Sequence, residues 1–479
     1  MSDVRLDGWT CAPVVGVVVP GEGRPGWTDA AWWLALLEAW GVPVVVTSPR
    51  DVAATRWTTL IVPGCADVSV ADAVDGLDRA DIVVCGSDGP AGEAIGARAG
   101  VVRYERSVDA LDPWTTEDAV DAAERAFLTT ARSGAIAVWR WPDGKDLALV
   151  VDGDVDHPTG VDPECARYVA PAIETARRAG YRGYGVFAAA ANVDAEPSSF
   201  PAGAEYYNHS YTHPYSHWNA RPWEDLDEAE MREELVRSDE AFRRHLGADD
   251  HRMFRLPHFQ LEACDRTYDV LEGLGYLADS SIGGNVSVTG GLPDHPARRA
   301  WSERPEDAAY ARTHPDAAGR RPFLQLPISS DPTAPEFRHG CCSYNTLGEG
   351  VRSRTAEPGA YEDVLQSVVD RAADRRGLAH LFIDPPDAGY GRLNGDRPDY
   401  AFAVERWLAR AASRDDVAVL STAGLARWWL ARERAVSRLT VSARDDRVEV
   451  HVPEAPAGAS LVVRQPDGDP VWRPIPIPE

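Results

Sequence analysis

Two short segments hold the residues best suited to chemistry. The first is V-D-G-D, in which Asp152 and Asp154 close the apolar run Leu147 to Val151. Alternate residues of an extended chain point to one side, so both carboxylates can face one space. Hydrolysis of an amide by water at a bound cation needs two such groups, one to take a proton and one to hold the cation. A DGDVD stretch is also an ordinary solvated turn, and Asp156 repeats the spacing as a competing ligand. The second segment is Tyr207-Asn208-His209-Ser210-Tyr211-Thr212-His213-Pro214. Histidines four apart on one helical turn present both imidazoles the same way and suit one divalent ion. Pairs with this spacing also occur on surfaces, but the tight polar and aromatic surroundings favour a built site. His217, four residues further on, reads as exposed. Tyr206, Tyr207, Tyr211 and Trp218 offer flat rings that match pyranose faces, and core packing accounts equally well for about half of them.

These segments need a frame, and the chain supplies one. Residues 12 to 135 alternate short apolar runs with helix-like stretches: VVGVVVP, WTDAAWWLALLEAWG, VPVVVTS, TTLIVPG, VADAVDGL and ADIVVCGS. Such alternation predicts βαβ units and a Rossmann-like parallel sheet over 1–135. Trp33, Leu34, Leu37 and Trp40 recur at helical spacing, with Gly41 as a stop. The glycines of Gly86-Ser87-Asp88-Gly89 are explained by turn chemistry, since no GxGxxG opens a helix after a strand. From 136 to about 435 the alternation resumes through LALVV, a helix Glu228 to Leu246, FRLPHF, LQLPIS, HLFID, VAVLS and TAGLARWWLARERA. About seven repeats of this kind predict a barrel of parallel strands with chemistry at the strand C-terminal ends. Met231, Leu235, Phe242 and Leu246 form a core stripe, and the charges around them read as a solvated face without partners. Residues 284–322 lack periodicity and read as an inserted loop. Residues 436–479 change to strict alternation and predict a small antiparallel β appendage.

The order D-x-D, then NHSYTHP, then F-R-L-P (Phe254 to Pro257), then L-G-Y-L-A-D-S-S (Leu274 to Ser281) resembles the polysaccharide deacetylase (NodB-homology) family over about residues 147–390. The resemblance implies a distorted (β/α) barrel. It also implies Asp152 as general base, Asp154, His209 and His213 as holders of a metal, and Arg255 as the group that orients the base. A guanidinium beside Asp152 would keep it ionised and fixed in direction. The backbone N–H after Pro257, that of His258, would stabilise the oxyanion, and Tyr211, Pro257 and His258 would line the substrate groove. Zinc is the implied cofactor, with cobalt, nickel or iron also admitted by two imidazoles and a carboxylate. One motif departs from the family. Its last histidine is replaced in HLFIDPPD, where Asp384 precedes the prolines and His380 begins the strand, at what reads as the wrong end. Three readings follow: Asp384 is the acid, another group such as His258 substitutes, or turnover is lost and binding kept. Asp279, in A-D-S-S-I, reads as a cap or turn residue or as a catalytic one. The N-terminal part, through its element order and the LIVPG turn, resembles amidotransferase-like Rossmann domains. It lacks an intact nucleophile elbow with downstream His and Glu, so a noncatalytic role is implied.

Composition narrows the alternatives. Among 479 residues, 75 acids face 49 strong bases, a formal charge of -26 to which Lys145 contributes the single lysine. Such a surface repels nucleic acid. It has the style of proteins from salt-loving organisms, where screening relieves self-repulsion, although a GC-rich genome would also replace Lys by Arg. The N-terminus has no basic start and no run reaches eighteen apolar residues, so a cytoplasmic protein without membrane contact is expected. The seven cysteines form no CxxC pair and read as reduced thiols. Three functions therefore stand. The first is a metal-dependent deacetylase of N-acetylated sugars or polysaccharide, and the second a hydrolase of a small non-sugar amide or cyclic imide. The third is a catalytically silent carbohydrate-binding homologue. Oligomeric state is left open.

Overall fold

The computed structural model describes residues 2–9, 11–19, parts of 30–63, 81–85, 101–104, 123–155, 166–214, 221–247, 252–257, 265–281, 298–301, 320–329, 358–385, 398–444, 447–466 and 468–477, a few single positions excepted. Asp156, His217, Trp218, His258, the turn 86–89 and the cysteine pair 341–342 lie outside the described residues. The chain divides into two compact units, one of Met1–Gly144, Trp301–Arg320 and Trp428–Glu479, the other of Lys145–Ala300 and Arg321–Arg427.

In the first unit, strands β1 (Ser2–Asp7), β2 (Val15–Val18), β3 (Val44–Thr47), β4 (Thr59–Pro63), β5 (Asp81–Cys85), β6 (Val101–Tyr104) and β7 (Ala135–Val138) follow in order. Strands β2 to β6 make a parallel sheet in the order β3-β2-β4-β5-β6, the doubly wound arrangement expected from alternating apolar runs and helices. The helical stripe is buried as its spacing requires, with Trp33, Leu34, Leu37 and Trp40 at most 4% exposed.

The second unit opens with β8 (Leu147–Val155), buried at all nine positions. A near-continuous apolar run of this kind is what a parallel strand covered on both faces demands. It is followed by α1 (Val169–Arg178), β9 (Gly185–Ala188), α2 (Ala190–Ala195), β10 (Glu205–Asn208), α3 (Glu228–Leu246), β11 (Met253–Phe254), α4 (Asp265–Gly273) and β12 (Ala278–Asp279). Next come β13 (Arg298–Trp301), β14 (Arg320–Gln325), α5 (Pro358–Asp374), β15 (Leu378–Phe382), α6 (Pro398–Ala412), β16 (Val417–Val419) and α7 (Thr422–Arg438), which belongs to this unit only as far as Arg427. The sheet runs β13-β14-β12-β11-β10-β9-β8-β15, and β16 also pairs with β8. It curls into a half-barrel, with β15, β8, β9, β10, β11, β12 and β14 linked by parallel pairings. Their C-terminal ends therefore share one rim. The segment 284–322 departs from the expected loop where Arg298–Trp301 joins the sheet as β13 and where β14 begins at Arg320.

Strand parity decides which side chains meet at that rim. Leu147, Leu149, Val151, Val186, Ala188, Ala379, Leu381 and Ile383 all enter the core packed with Val369, Val404 and Trp407 of the flanking helices. Successive strand residues alternate between faces. Asp152, Asp154, Phe187, His380 and Phe382 consequently face the other way, toward the inside of the half-barrel. Helix α3 is fixed at both ends by local chemistry. Asp227 and Glu230 form a capping box, and Gly247 takes the left-handed conformation that ends the helix.

The C-terminal strands β17 (Thr440–Arg444), β18 (Arg447–Val452), β19 (Ser460–Arg464) and β20 (Arg473–Pro476) are antiparallel, as their alternation predicts. They draw partners from the far end of the sequence: β18 pairs with β1, and β19 with β7. Alternation shows which strands exist but not which distant strand completes their sheet.

Candidate active site

Arg255 sits at the centre of the rim. The residue follows β11, is fully buried, and lies with its guanidinium carbon 3.9 Å from the Phe187 ring centroid and 5.2 Å from that of Phe382. One Nη donates to Asp154 Oδ1 at 2.7 Å, and the other to Asp152 Oδ1 at 2.8 Å and to Ser280 Oγ at 2.8 Å. Nε donates to the Ser280 carbonyl at 3.0 Å. Burying a guanidinium costs several kcal/mol unless such partners are present. The ADSS segment supplies two of them through Ser280, while Asp279 is buried in β12 and accepts from Ser281 Oγ, which in turn accepts from the Leu256 N–H. Asp279 is thus a strand residue bonded to its neighbour Ser281, and not a helix cap.

Arg255 acts on the site through its backbone as well. Its carbonyl lies 2.8 Å from His209 Nδ1. A carbonyl only accepts, so Nδ1 carries the proton and Nε2 presents a lone pair, the tautomer wanted of an imidazole ligand. That Nε2 lies 3.5 Å from Asp154 Oδ2.

Asp152 is 0% exposed, and its second oxygen accepts from Thr422 Oγ1 at 2.7 Å and pairs with His380 Nε2 at 2.7 Å. Burial pushes this carboxyl up, but Arg255 and His380 outweigh it and hold the group down to about 2. The same two carboxylates raise Arg255 against the opposing effect of its burial. Two buried carboxylates share one guanidinium, and His380 is a further partner of Asp152.

His380 corrects the expectation that it sits at the wrong end of its strand. Register pairs it with Val150, and parity turns it onto the face of Asp152. Its backbone is tied to Ser329, whose Oγ accepts the His380 N–H at 3.0 Å. Sequence spacing alone singles out neither His380 nor Thr422 as a site residue. A histidine inside an otherwise apolar strand was the available signal, since a buried polar group must find a partner.

The histidine segment also differs from expectation. His209 and His213 do not share a helical turn; the chain bends through Ser210 (φ 68°) and His213 (φ 56°), both left-handed. The Ser210 N–H goes to Asn208 Oδ1 at 2.8 Å and the His213 N–H to Ser210 Oγ at 3.0 Å. Glu234 of α3 accepts the N–H groups of Tyr211 and Thr212 at 2.9 and 2.8 Å, plus Thr212 Oγ1 at 2.9 Å. Asp239 accepts from Asn208 Nδ2 at 3.0 Å and Tyr276 OH at 2.6 Å. The charges of α3 are therefore partly engaged, in contrast to the solvated face read from sequence. Both rings end up buried, with centroids 4.8 Å apart.

The remaining expected positions divide. Asp384, half-buried after β15, accepts the Asp154 N–H on Oδ1 at 2.7 Å. Gly153 allows this approach: a Cβ there would lie 2.2 Å from the Ile383 carbonyl oxygen and 2.8 Å from the Asp384 Cα. Pro257 is buried next to Leu256. Tyr211 is partly buried, donates to Asp194 at 2.9 Å and carries Arg237 3.9 Å above its ring. Tyr206 and Tyr207 are 4% and 1% exposed and belong to the core, so they are no stacking wall.

For a metal, the donors match in type: one carboxylate and two imidazoles, with the His209 tautomer fixed. Among the described residues, however, no group of three or more His, Cys, Asp or Glu side chains is set to hold an ion. Asp154 and His209 form the poised pair, and His213 neighbours His209. No described helix is long and apolar enough to cross a membrane.

Residues 186–278, from β9 into β12, match the family model described as polysaccharide deacetylase. No curated protein is significantly similar in sequence. Among solved structures, a Mycobacterium smegmatis protein assigned as a polysaccharide deacetylase aligns at 17% identity and TM-score 0.40, covering 60% of this chain and 91% of its own. A 4-alpha-glucanotransferase from Thermococcus litoralis aligns at 11% identity and TM-score 0.35, over 58% and 40%. A CE4 family pseudoenzyme from Bacillus anthracis aligns at 10% identity and TM-score 0.30, over 57% and 63%. These TM-scores lie below 0.5, and the likenesses bear on neither substrate nor mechanism.

Proposed function

We propose that the chain, whose residues 186–278 match the polysaccharide deacetylase family model, is a hydrolase of the NodB-homology kind that removes acetyl groups from N-acetylated sugars or polysaccharide. The observation that carries the reading is Arg255, whose side chain fixes Asp152 and Asp154 while its carbonyl sets the His209 tautomer. Asp154, His209 and His213 would hold a divalent cation, zinc by donor type, which when bound supplies Lewis acidity to water and to the amide carbonyl.

Water adds its oxygen to the acetyl carbon, and Asp152 takes the proton released. The C–N bond then breaks, the proton held by Asp152 is returned by way of Asp384 to the amine nitrogen, and free amine and acetic acid result, the acid then ionising to acetate. Arg255, His380 and Thr422 keep Asp152 ionised and aimed. A second assignment has its own support. Asp152 is fully buried and saturated by donors, whereas Asp384 is half-buried and adjoins Asp154 through a backbone N–H. A donated N–H favours the ionised carboxylate, so Asp384 would accept the proton from water and pass it to the amine. Turnover lost in Asp152→Asn but kept in Asp384→Asn supports the first assignment, and the reverse supports the second.

The substrate class is tested by acetate release from chito-oligomers against ring opening of cyclic ureides, with zinc-supplemented protein. Acetate release that vanishes in His209→Ala supports the deacetylase. Ring opening alone moves the proposal to small amides, and sugar binding without release in any variant leaves a silent carbohydrate-binding protein.

A further inference from the structure

The loop from His209 to His213 has a conformation that its own residues do not favour. Ser210 and His213 are both left-handed at φ 68° and 56° without being glycine. Such residues persist only where their surroundings over-determine them. Three kinds of contact do so here. Within the loop, Asn208 and Ser210 side chains accept the Ser210 and His213 N–H groups. From α2, the N–H groups of Ala190 and Ala191 donate to the Ser210 and Tyr211 carbonyls at 3.0 and 3.1 Å. From α3, Glu234 takes three donors from the two residues at the loop's apex.

Glu234 is unlike the other contacts because it is a charge placed where a helix would normally bury carbon. It lies on the α3 side that carries the buried Met231, Leu235, Ser238 and Phe242. The carboxylate is half-buried and its bonds reach the backbone between the two histidines, not the rings themselves. We propose that Glu234 is a positioning residue whose carboxylate presets the His209–His213 loop and thereby sets the affinity of the site for its cation. The proposal rests on the reading that these histidines hold a metal. Its geometry makes a sharp distinction between two substitutions. In Glu234→Gln the amide oxygen can still accept both N–H groups, and the amide nitrogen can donate to Thr212 Oγ1. In Glu234→Ala all three bonds go.

The test is titration of zinc into the metal-free full-length chain in competition with a chromophoric chelator. Loss of outer-sphere support costs metal sites about 10- to 100-fold in affinity. We expect Glu234→Ala to weaken zinc by about tenfold or more and Glu234→Gln by no more than about threefold. Circular dichroism of the metal-free proteins should be superimposable. Equal affinity of Glu234→Ala and the parent overturns the inference and leaves the metal reading standing. A parent that binds no zinc, or binds it as tightly after His209→Ala, sinks the metal reading and this inference with it. Should Glu234→Ala fail to fold, Thr212→Val removes one of the three bonds at the loop. Its affinity is expected to fall several-fold, and an unchanged value refutes the role given to Glu234.

Discussion

Replacing Arg255 by methionine is the most informative single perturbation of this site. The substitution keeps much of the volume and removes a fully buried cation from two buried carboxylates. Deleting one partner of a buried ion pair costs about 3–5 kcal/mol, because the other charge stays behind. Part of the loss follows from Asp152 alone. Its carboxyl lies at about 2 in the folded chain against an ordinary 3.8, a difference worth about 2 kcal/mol at 1.36 kcal/mol per unit. A depressed carboxyl contributes stability that is fully present above 3.8 and lost as pH falls through about 2. Without Arg255, Asp152 protonates at higher pH and escapes the penalty by becoming neutral. The deficit of the variant should therefore be about 3–5 kcal/mol at pH 7 and visibly smaller at pH 4.5. The assay is urea unfolding of chelator-treated protein, followed by hydrogen exchange in a peptide spanning β8, which reads the second unit alone. A deficit below about 1 kcal/mol, or one equal at both pH values, would refute the argument that Arg255 neutralises these carboxylates.

Three further outcomes follow. Gly153→Ala drives a Cβ into backbone atoms of Ile383 and Asp384, so it should destabilise the second unit by several kcal/mol, measured by the same exchange experiment; a change within about 0.5 kcal/mol would mean that β8 and β15 do not approach this closely. Tyr207→Ala should cost about 3–5 kcal/mol in stability because the ring is core, 1% exposed, and a variant of full stability with a raised KM for sugar would return this ring to the binding surface. The formal charge of -26 predicts a melting temperature that rises from low to multi-molar potassium chloride as self-repulsion is screened, and a flat profile assigns the missing lysines to genome composition instead.

Much of this arrangement was legible in the sequence because it is local. The uninterrupted apolar run at Leu147 announces a strand buried on both faces, and the pair Asp227 and Glu230 with Gly247 delimits α3 to the residue. The two aspartates at a strand end mark the rim. What stayed hidden depends on strands and helices distant in the chain. His380 meets Asp152 only because β15 pairs with β8 in one register, and a slip of one residue would turn it into the opposite core. Glu234 looked like one more surface charge because helical periodicity reports the mean character of a face, not the exception within it. A four-residue histidine spacing predicts a helical turn, yet the same spacing is shared by any compact bend such as the histidine loop. There, side-chain acceptors at Asn208, Ser210 and Glu234 replace the backbone ladder.

The claim on which the rest depends is that Asp154, His209 and His213 hold one divalent cation. Elemental analysis of the purified chain addresses it directly, alongside Asp154→Ala, His209→Ala and His213→Ala purified in the same way. The account predicts about one equivalent of a transition metal in the parent and its loss from each folded variant. A parent without metal, or variants that keep it in full, would contradict the account.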